Sequence, residues 1–355
     1  MRKRGVHSDS IKEAAPSTPR AIIRKVVTSL PTNSENNSAF TNGMDKEKEA
    51  LFNEKTGVLE RRITRPGETA LDLAEEACIR LFRARNDIRD RIDTIVFCTQ
   101  SPDHVVPSNA CILHGRLEMR NSVAAFDLSL ACSAFVYALH IVQALIASGA
   151  ARNVLIINAD TYSKYVHPFD RSTRSLFGDG ATAAWIGASS DGRGILDTAC
   201  CTDGTQFDKF YIPAGGCRLP LSDQLRGHEH QSRSGNICTD ATVHMSGREI
   251  LDYVRQQIPR QIVDVLKRNR FNIDEIDWFV FHQASGIILD TLTTALSLPP
   301  CKVLRSFQFI GNLSSASIPA ALQAGISKRL FKKNHLILLC GFGAGLSWGT
   351  VLMRY

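Results

Sequence analysis

Two stretches far apart in the chain read alike. Ile92-Asp-Thr-Ile-Val-Phe-Cys-Thr-Gln-Ser101 aligns without a gap on Ile276-Asp-Trp-Phe-Val-Phe-His-Gln-Ala-Ser285, sharing Ile, Asp, Val, Phe and Ser at one offset. Gly178-Asp-Gly-Ala-Thr-Ala-Ala-Trp185 aligns in the same way on Gly341-Phe-Gly-Ala-Gly-Leu-Ser-Trp348, sharing Gly-x-Gly-Ala-x-x-x-Trp. Either match alone is within reach of chance; two in the same order argue for a duplicated unit. A pseudo-twofold axis between the copies brings equivalent strand ends together at the centre, where one site can draw residues from both.

The surrounding pattern says what the unit is made of. Leu71 to Arg85 has helical spacing, with Leu71, Ala74, Ala77, Cys78, Leu81 and Phe82 on one face. Ile92–Thr99 and Ala124–Leu130 are short β-rich runs, and an apolar helix is expected over Ser133 to Ala147. Runs at Val154–Asn158 and Ala181–Ile186 complete the first series. In the second half the spacing predicts helix at 248–269, strand at 278–281, helix at 318–331 and strand at 336–340. Alternating strands and helices argue for α/β layers with a largely parallel sheet. The expected division is a basic, polar extension over 1–20, a first half over 21–195 and a second over 196–355. A stretch from Ala214 to Asn236, rich in Gly, Arg, His and Ser, reads as a surface loop or flap.

Composition narrows the function classes. The chain has 355 residues, 44% hydrophobic and 7% aromatic, ordinary for a globular protein with a large core. The net charge of +7 is spread along the chain, so it can attract an acidic substrate without implying nucleic acid. The most apolar stretch, Ala131 to Ala147, holds His140 and Gln143 and is short for a bilayer, so no membrane span is expected. Ten cysteines without a Cys-x-x-Cys pair or an apolar leader read as reduced thiols in the cytoplasm. The Cys200-Cys201 pair and His228-x-His230 match no standard zinc spacing, and no metal site is assigned. Gly341-Phe-Gly-Ala-Gly345 follows a strand but lacks the strand-helix-strand unit that dinucleotide binding needs; it reads instead as a tight turn aiming a backbone N–H inward.

Three residues stand at element ends. Cys132 lies between a strand-like and a helix-like run, where unpaired N–H groups and the helix dipole favour thiolate. Taken alone, it is one cysteine among ten. His282 ends a strand, where histidines are commonly structural; its partner in the repeat is Cys98, so an ionisable ring occupies one copy only. Asn312, in Gly311-Asn-Leu-Ser-Ser-Ala-Ser-Ile-Pro319, is by itself a turn and cap signal. Together they make a nucleophile and two hydrogen-bond donors.

With these residues in hand, the chain resembles the ketoacyl-acyl-carrier-protein synthase III group of thiolase-fold condensing enzymes, from about Ile22 to Tyr355. The segments that carry the resemblance are Lys55-Thr-Gly-Val-Leu-Glu-Arg-Arg-Ile63, Pro107-Ser-Asn-Ala-Cys111, Asp127-Leu-Ser-Leu-Ala-Cys-Ser-Ala-Phe135, Asp170-Arg-Ser-Thr173, Phe177-Gly-Asp-Gly-Ala181, His282-Gln-Ala284, Gly311-Asn312 and Phe342-Gly-Ala-Gly-Leu-Ser-Trp-Gly349. The resemblance implies a five-layered α-β-α-β-α fold, a homodimer and a Cys132, His282, Asn312 triad. It implies an oxyanion hole from the N–H groups of Cys132 and Ala344, and an acyl pocket shaped by Phe177, Phe342 and Val106, with a dimer contact near Val106. Lys55, Thr56 and Arg171 fall where similar enzymes hold coenzyme A. The implied reaction moves an acyl group from a coenzyme A or acyl-carrier-protein thioester to Cys132. A malonyl thioester, on carrier protein or coenzyme A, then condenses with loss of carbon dioxide to a 3-oxoacyl thioester. Both thioesters are substrates, and no cofactor is expected.

Three positions depart from the pattern. Lys55 stands where Arg is common, Ile287 where many members dock the carrier with an Arg, and the first strand lacks the usual glycines at Arg24–Ser29. They point to a specialised member. Other readings are an acyltransferase to an alcohol or amine, a thiolase using Cys340 as a base, and a non-catalytic partner subunit. Asn312 argues against the first, the position of Cys340 before the turn against the second, and the full triad against the third.

Overall fold

A computed structural model describes residues 18–232 and 235–355. The expected 1–20 extension lies almost wholly outside these. Five strands, β1 (Arg20–Ser29), β2 (Thr94–Cys98), β3 (Ala124–Leu128), β4 (Asn153–Asp160) and β5 (Gly180–Ser189), form one sheet in the order β1-β5-β4-β2-β3. Four more, β6 (Gly194–Thr202), β7 (Trp278–Phe281), β8 (Leu336–Gly343) and β9 (Ser347–Arg354), form a second in the order β6-β9-β8-β7. The orders correspond strand for strand, with β2 and β7 holding the first repeat and Trp185 and Trp348 of the second repeat on β5 and β9. Only β3 has no full counterpart; a lone parallel bridge from Phe279 to Val303 stands at that edge.

The sheets are mixed, which corrects the expectation of largely parallel pairing. β2 runs parallel to β3 and β4, and β7 to β8, but β5 is antiparallel to β1 and β4, and β9 to β6 and β8. The reason is local. β8 turns directly into β9 through a hairpin closed by Gly343 and Ser347, and a hairpin can only join antiparallel strands.

Helices fill the remaining layers. Ala134–Ala147 and Ser317–Ser327 lie between the sheets, where Phe135, Val142, Ile318 and Leu322 share one core with Val96 and Ile156 of the first sheet and Ile337 and Val351 of the second. Burial between the sheets explains why the first of these helices is mostly apolar, with His140 and Gln143 on its less buried side. Ala70–Arg83 covers the outer face of the first sheet; Thr69 starts it with a capping box to Asp72. Gly247–Arg268 and Gly286–Ala295 cover the second. The result is the five-layered α-β-α-β-α thiolase arrangement. Among the described residues, no helix is long and apolar enough to cross a membrane.

The flap carries more order than a bare loop. It holds a short helix at Asp223–Gly227 and a ribbon pairing His230–Gln231 with Ile237–Cys238; just after it, His244–Met245 pairs with Phe210–Tyr211. The helix expected over 318–331 stops at Ser327, where the chain turns through Arg329 (φ 56°) to seat Phe331 on Gly325.

Candidate active site

The chain from β3 into the Ala134–Ala147 helix places Cys132 two residues before the first helical turn, buried at 7% exposure. The matching junction before Ser317–Ser327 carries Asn312 and Ser314. These junctions meet: Cys132 Sγ stands 3.9 Å from Ser314 Oγ. Ser314 was not singled out in the sequence; it is fully buried and holds a positive φ of 50°.

The turn after β8 packs directly on the nucleophile. A Cβ at Gly343 would lie 2.7 Å from Cys132 Cβ and 3.2 Å from its Sγ, so no side chain fits there. Ser347 Oγ donates to the Ala344 carbonyl at 2.8 Å and also pairs with Ser133 Oγ at 2.7 Å. One hydroxyl thus ties the peptide of Ala344 to the residue following Cys132, which fixes the two backbone segments expected to supply the oxyanion donors.

His282 follows β7, its N–H bonded to Cys340 O at 2.8 Å and its ring edge-on to Phe342 at 5.5 Å. Burial holds its pKa down at about 3, so the ring is neutral. Nδ1 is buried without a partner, and an unpaired acceptor is tolerated better than an unpaired N–H. The tautomer with the proton on Nε2 follows, leaving Nε2–H as the ring's donor. Asn312 Oδ1 accepts from Ser314 N at 2.9 Å and Ser317 Oγ at 3.2 Å, which leaves its amide nitrogen to donate. The Asn312 loop is strapped to the other half by Asn312 N–H to Leu176 O and Gly178 N–H to Asn312 O. That strap needs glycine at 178, since a Cβ there would meet Ile310 O at 2.1 Å.

Cys132, His282, Asn312 and Ala344 line one cavity of about 490 Å³, together with Phe177 and Phe342. Its walls are apolar, and Phe210, Met245, Leu251 and Val254 belong to them. Lys55 and Arg248, both exposed, and the partly exposed Ile287 also border it, so cations stand toward solvent and the thiol lies deep. Sequence reasoning missed Phe210 and Met245, which pair in a ribbon of only two residues a side, too short for periodicity to give a direction, and Arg248, which stands in the first turn of an expected helix whose exposed end carries no sign of what it faces.

Three expectations change. Burial pushes the Cys132 thiol up to about 12, aided by the nearby charge of Asp160, against the contact with Ser314, which lowers it. The helix terminus does not yield a resting thiolate, because desolvation of a buried sulfur outweighs it. Val106 does not line the cavity: its loop reaches outward, Val106 is 79% exposed, and it borders a separate groove. That groove shares only Phe210 and Ala344 with the cavity. Arg171 lines a different cleft beside Phe40 and Arg174, while Lys55 and Thr56 do border the cavity. The Thr56 hydroxyl, however, is committed to Phe52 O in its own helix at 3.0 Å.

Two buried groups complete the neighbourhood. Asp160, at the end of β4, accepts from Ser315 N at 3.1 Å, Ser315 Oγ at 2.6 Å and Gln100 N at 2.8 Å; burial raises its pKa. Cys340 lies in the core, its sulfur contacted by Thr350 Oγ1 at 3.7 Å, and does not border the cavity. Away from this site, the fold gathers His230, Cys238 and His244, with ligating atoms all within 4.8 Å of one another. Neither Cys200 nor Cys201, weighed as zinc ligands from the sequence, belongs to that group.

Comparison with known proteins matches residues 126–204 to 3-oxoacyl-[acyl-carrier-protein (ACP)] synthase III and 266–355 to its C-terminal region. A β-ketoacyl-[acyl-carrier-protein] synthase III of Caldanaerobacter subterraneus subsp. tengcongensis is 38% identical over 301 residues, 85% of this chain and 88% of the relative. That of Clostridioides difficile is 35% identical over 92% of this chain and 95% of its own length. Among solved structures, a 3-oxoacyl-(acyl-carrier-protein) synthase III superposes with a TM-score of 0.90 at 36% identity, covering 95% of this chain and all of that one. The priming β-ketosynthase of the R1128 polyketide pathway superposes at 0.81 and 26% identity, covering 97% and 98%.

Proposed function

The chain belongs to the 3-oxoacyl-[acyl-carrier-protein] synthase III family, and from that premise we propose that it joins an acyl group held on Cys132 to a malonyl thioester with loss of carbon dioxide. It is an acyltransferase of the condensing type. The observation that carries the assignment of roles is that Cys132, His282, Asn312 and Ala344 line one apolar cavity.

In the first half-reaction the Cys132 sulfur attacks the carbonyl of an acyl thioester. The carbon–sulfur bond to coenzyme A or carrier breaks, and the thiol proton leaves with the departing sulfur, so the step is neutral overall. The N–H groups of Cys132 and Ala344 receive the carbonyl oxygen as it gains charge. In the second, His282 Nε2–H and the Asn312 amide donate to the malonyl thioester oxygen. The bond to the carboxylate breaks, carbon dioxide leaves, and the electron pair moves into the enolate. Its carbon attacks the acyl-Cys carbonyl and expels Cys132 as thiolate, which takes one proton from solvent to restore the resting thiol. A neutral imidazole suits this role, because it stabilises the enolate without trapping a proton on carbon.

Lys55 and Arg248 at the mouth suit the phosphates of a coenzyme A or carrier arm. The low polarity of the walls suits a hydrocarbon acyl chain. The proposed assembly is a homodimer in which the exposed Val106 reaches toward the partner's cavity instead of its own. The protein acts without a cofactor, in the cytoplasm.

Intact-protein mass spectrometry after incubation with a panel of acyl-coenzyme A and acyl-carrier thioesters tests the reading. A single acyl adduct that Cys132→Ala abolishes is expected, and its mass names the chain. An adduct that persists in Cys132→Ala would overturn it.

A further inference from the structure

We propose that His230, Cys238 and His244 form a binding site for a thiophilic divalent cation, zinc foremost, that clips the flap to the wall of the acyl cavity. The three ligating atoms lie within 4.8 Å of one another although the residues belong to three short strands. An ion at the centre of such a triangle would be about 2.8 Å from each atom, against roughly 2.0–2.3 Å for bound zinc. The sulfur therefore has to move inward by about 0.5 Å and each imidazole by about 0.7–0.8 Å, well within side-chain freedom. Two imidazoles and a thiol are a borderline-soft donor set, which selects zinc, cobalt or copper over magnesium or calcium.

The surroundings favour coordination. His244 Nε2 is bonded to Thr239 O at 3.0 Å, so this nitrogen donates and Nδ1 keeps its lone pair. Imidazoles bound to metals are commonly fixed in this way, through the nitrogen that does not ligate. Asp240 Oδ1 stands 3.7 Å from His230 Nε2 and is the candidate fourth ligand. Cys238 is buried at 1% exposure, while both histidine rings are partly exposed and give an ion a way in. On binding, Cys238 releases its proton to solvent and both rings bind neutral. The thiolate and the Asp240 carboxylate then balance the charge of a divalent ion.

The position gives the site its consequence. His244 pairs with Tyr211, and the next pair along that ribbon, Met245 with Phe210, faces the cavity. Side chains alternate along a strand, so the ion sits behind the ribbon whose front is cavity wall. No ligand lines the cavity itself, so the ion is structural and its binding does not depend on the condensation chemistry.

Cobalt titration of the full chain, freed of metal by chelation, is the test. One equivalent of Co²⁺ should bind with a thiolate-to-cobalt charge-transfer band, and Zn²⁺ should displace it. Cys238→Ser should abolish the band. His230→Gln and His244→Gln should each weaken binding by at least roughly 100-fold, the upper range for loss of mere supporting contacts. Asp240→Asn should weaken it less, and Cys217→Ser, in the same flap but outside the trio, should leave it unchanged. If Cys238→Ser does not fold, judged by circular dichroism, the two histidine variants carry the test, since Zn²⁺ should raise the melting temperature of the parent chain and not theirs. A band that survives Cys238→Ser, or binding unaffected by both histidine changes, overturns the proposal.

Discussion

Laid over each other, the two halves agree in strand order and pairing direction, and they differ at the ends of equivalent strands. β4 ends in Asp160, a buried carboxylate; β8 ends in Gly343, with no side chain. Asp160 binds Ser315 in the second half's strand-to-helix junction, while Gly343 presses on Cys132 in the first half's junction. Each half therefore supports the other's reactive segment. β2 ends in Cys98, packed in the central core, whereas β7 leads into His282, whose Nδ1 has no partner. Duplication lets one copy keep a packing residue at a position where the other carries a ring that packs less well and donates a hydrogen bond. Division of labour, rather than a different backbone, is what makes one site from two alike units.

The comparison can be broken most sharply at its chemical side. His282→Ala and Asn312→Ala should each lower condensation by about 100- to 1,000-fold while Cys132 still takes an acyl group, since each removes one donor to the enolate. Single-turnover acylation by mass spectrometry alongside carbon dioxide release separates the steps; equal loss of both would mean that His282 and Asn312 also serve acylation. Gly343→Ala should impair both steps together, because the new Cβ displaces Cys132 itself, with a stability loss of about 1–3 kcal/mol on a thermal or denaturant melt.

A pH-dependent effect, confined to acid, separates His282 from Cys98. The folded chain holds His282 neutral down to about pH 3, whereas the unfolded chain protonates it near 6.5. Between those values the unfolded state binds the extra proton, so stability should fall as pH drops through this window, by up to about 1.4 kcal/mol per unit of separation. Denaturant melts of the parent chain and His282→Gln should differ in acid slope, the variant being flatter; parallel slopes would contradict the neutral ring. The smallest effect is expected at Cys340→Ala. It should leave condensation intact and cost about 1–2 kcal/mol of stability as a small core cavity.

These contrasts also mark what the chain discloses when read alone. The repeat at Ile92 and Ile276 exposed the duplication, since sheet position constrains apolar strands strongly. The junctions of Cys132, His282 and Asn312 were legible because element ends carry turn and cap residues. The pairing direction of β5 and β9 was not, because periodicity along a strand is blind to the sense of its neighbour. Phe210 and Met245 were hidden for a related reason, since a two-residue ribbon takes its direction from what it lands on, and Arg248 because the first turn of a helix does not disclose what its side chain borders. The resting state of Cys132 was misjudged because a helix end is visible in sequence, whereas the depth of burial that outweighs it is not.

The central apolar helix, Ala134–Ala147, has a consequence for how the protein comes into being. One of its faces is covered by β9, through Val351 and Met353, more than two hundred positions later in synthesis than its own last turn. During translation the finished first half must wait with that greasy surface uncovered and the Asp160 carboxylate without its two bonds from Ser315. Such waiting intermediates are the species that aggregate or recruit chaperones. Ribosome pausing, expression temperature and chaperone supply should therefore govern yield more strongly than the stability of the completed fold.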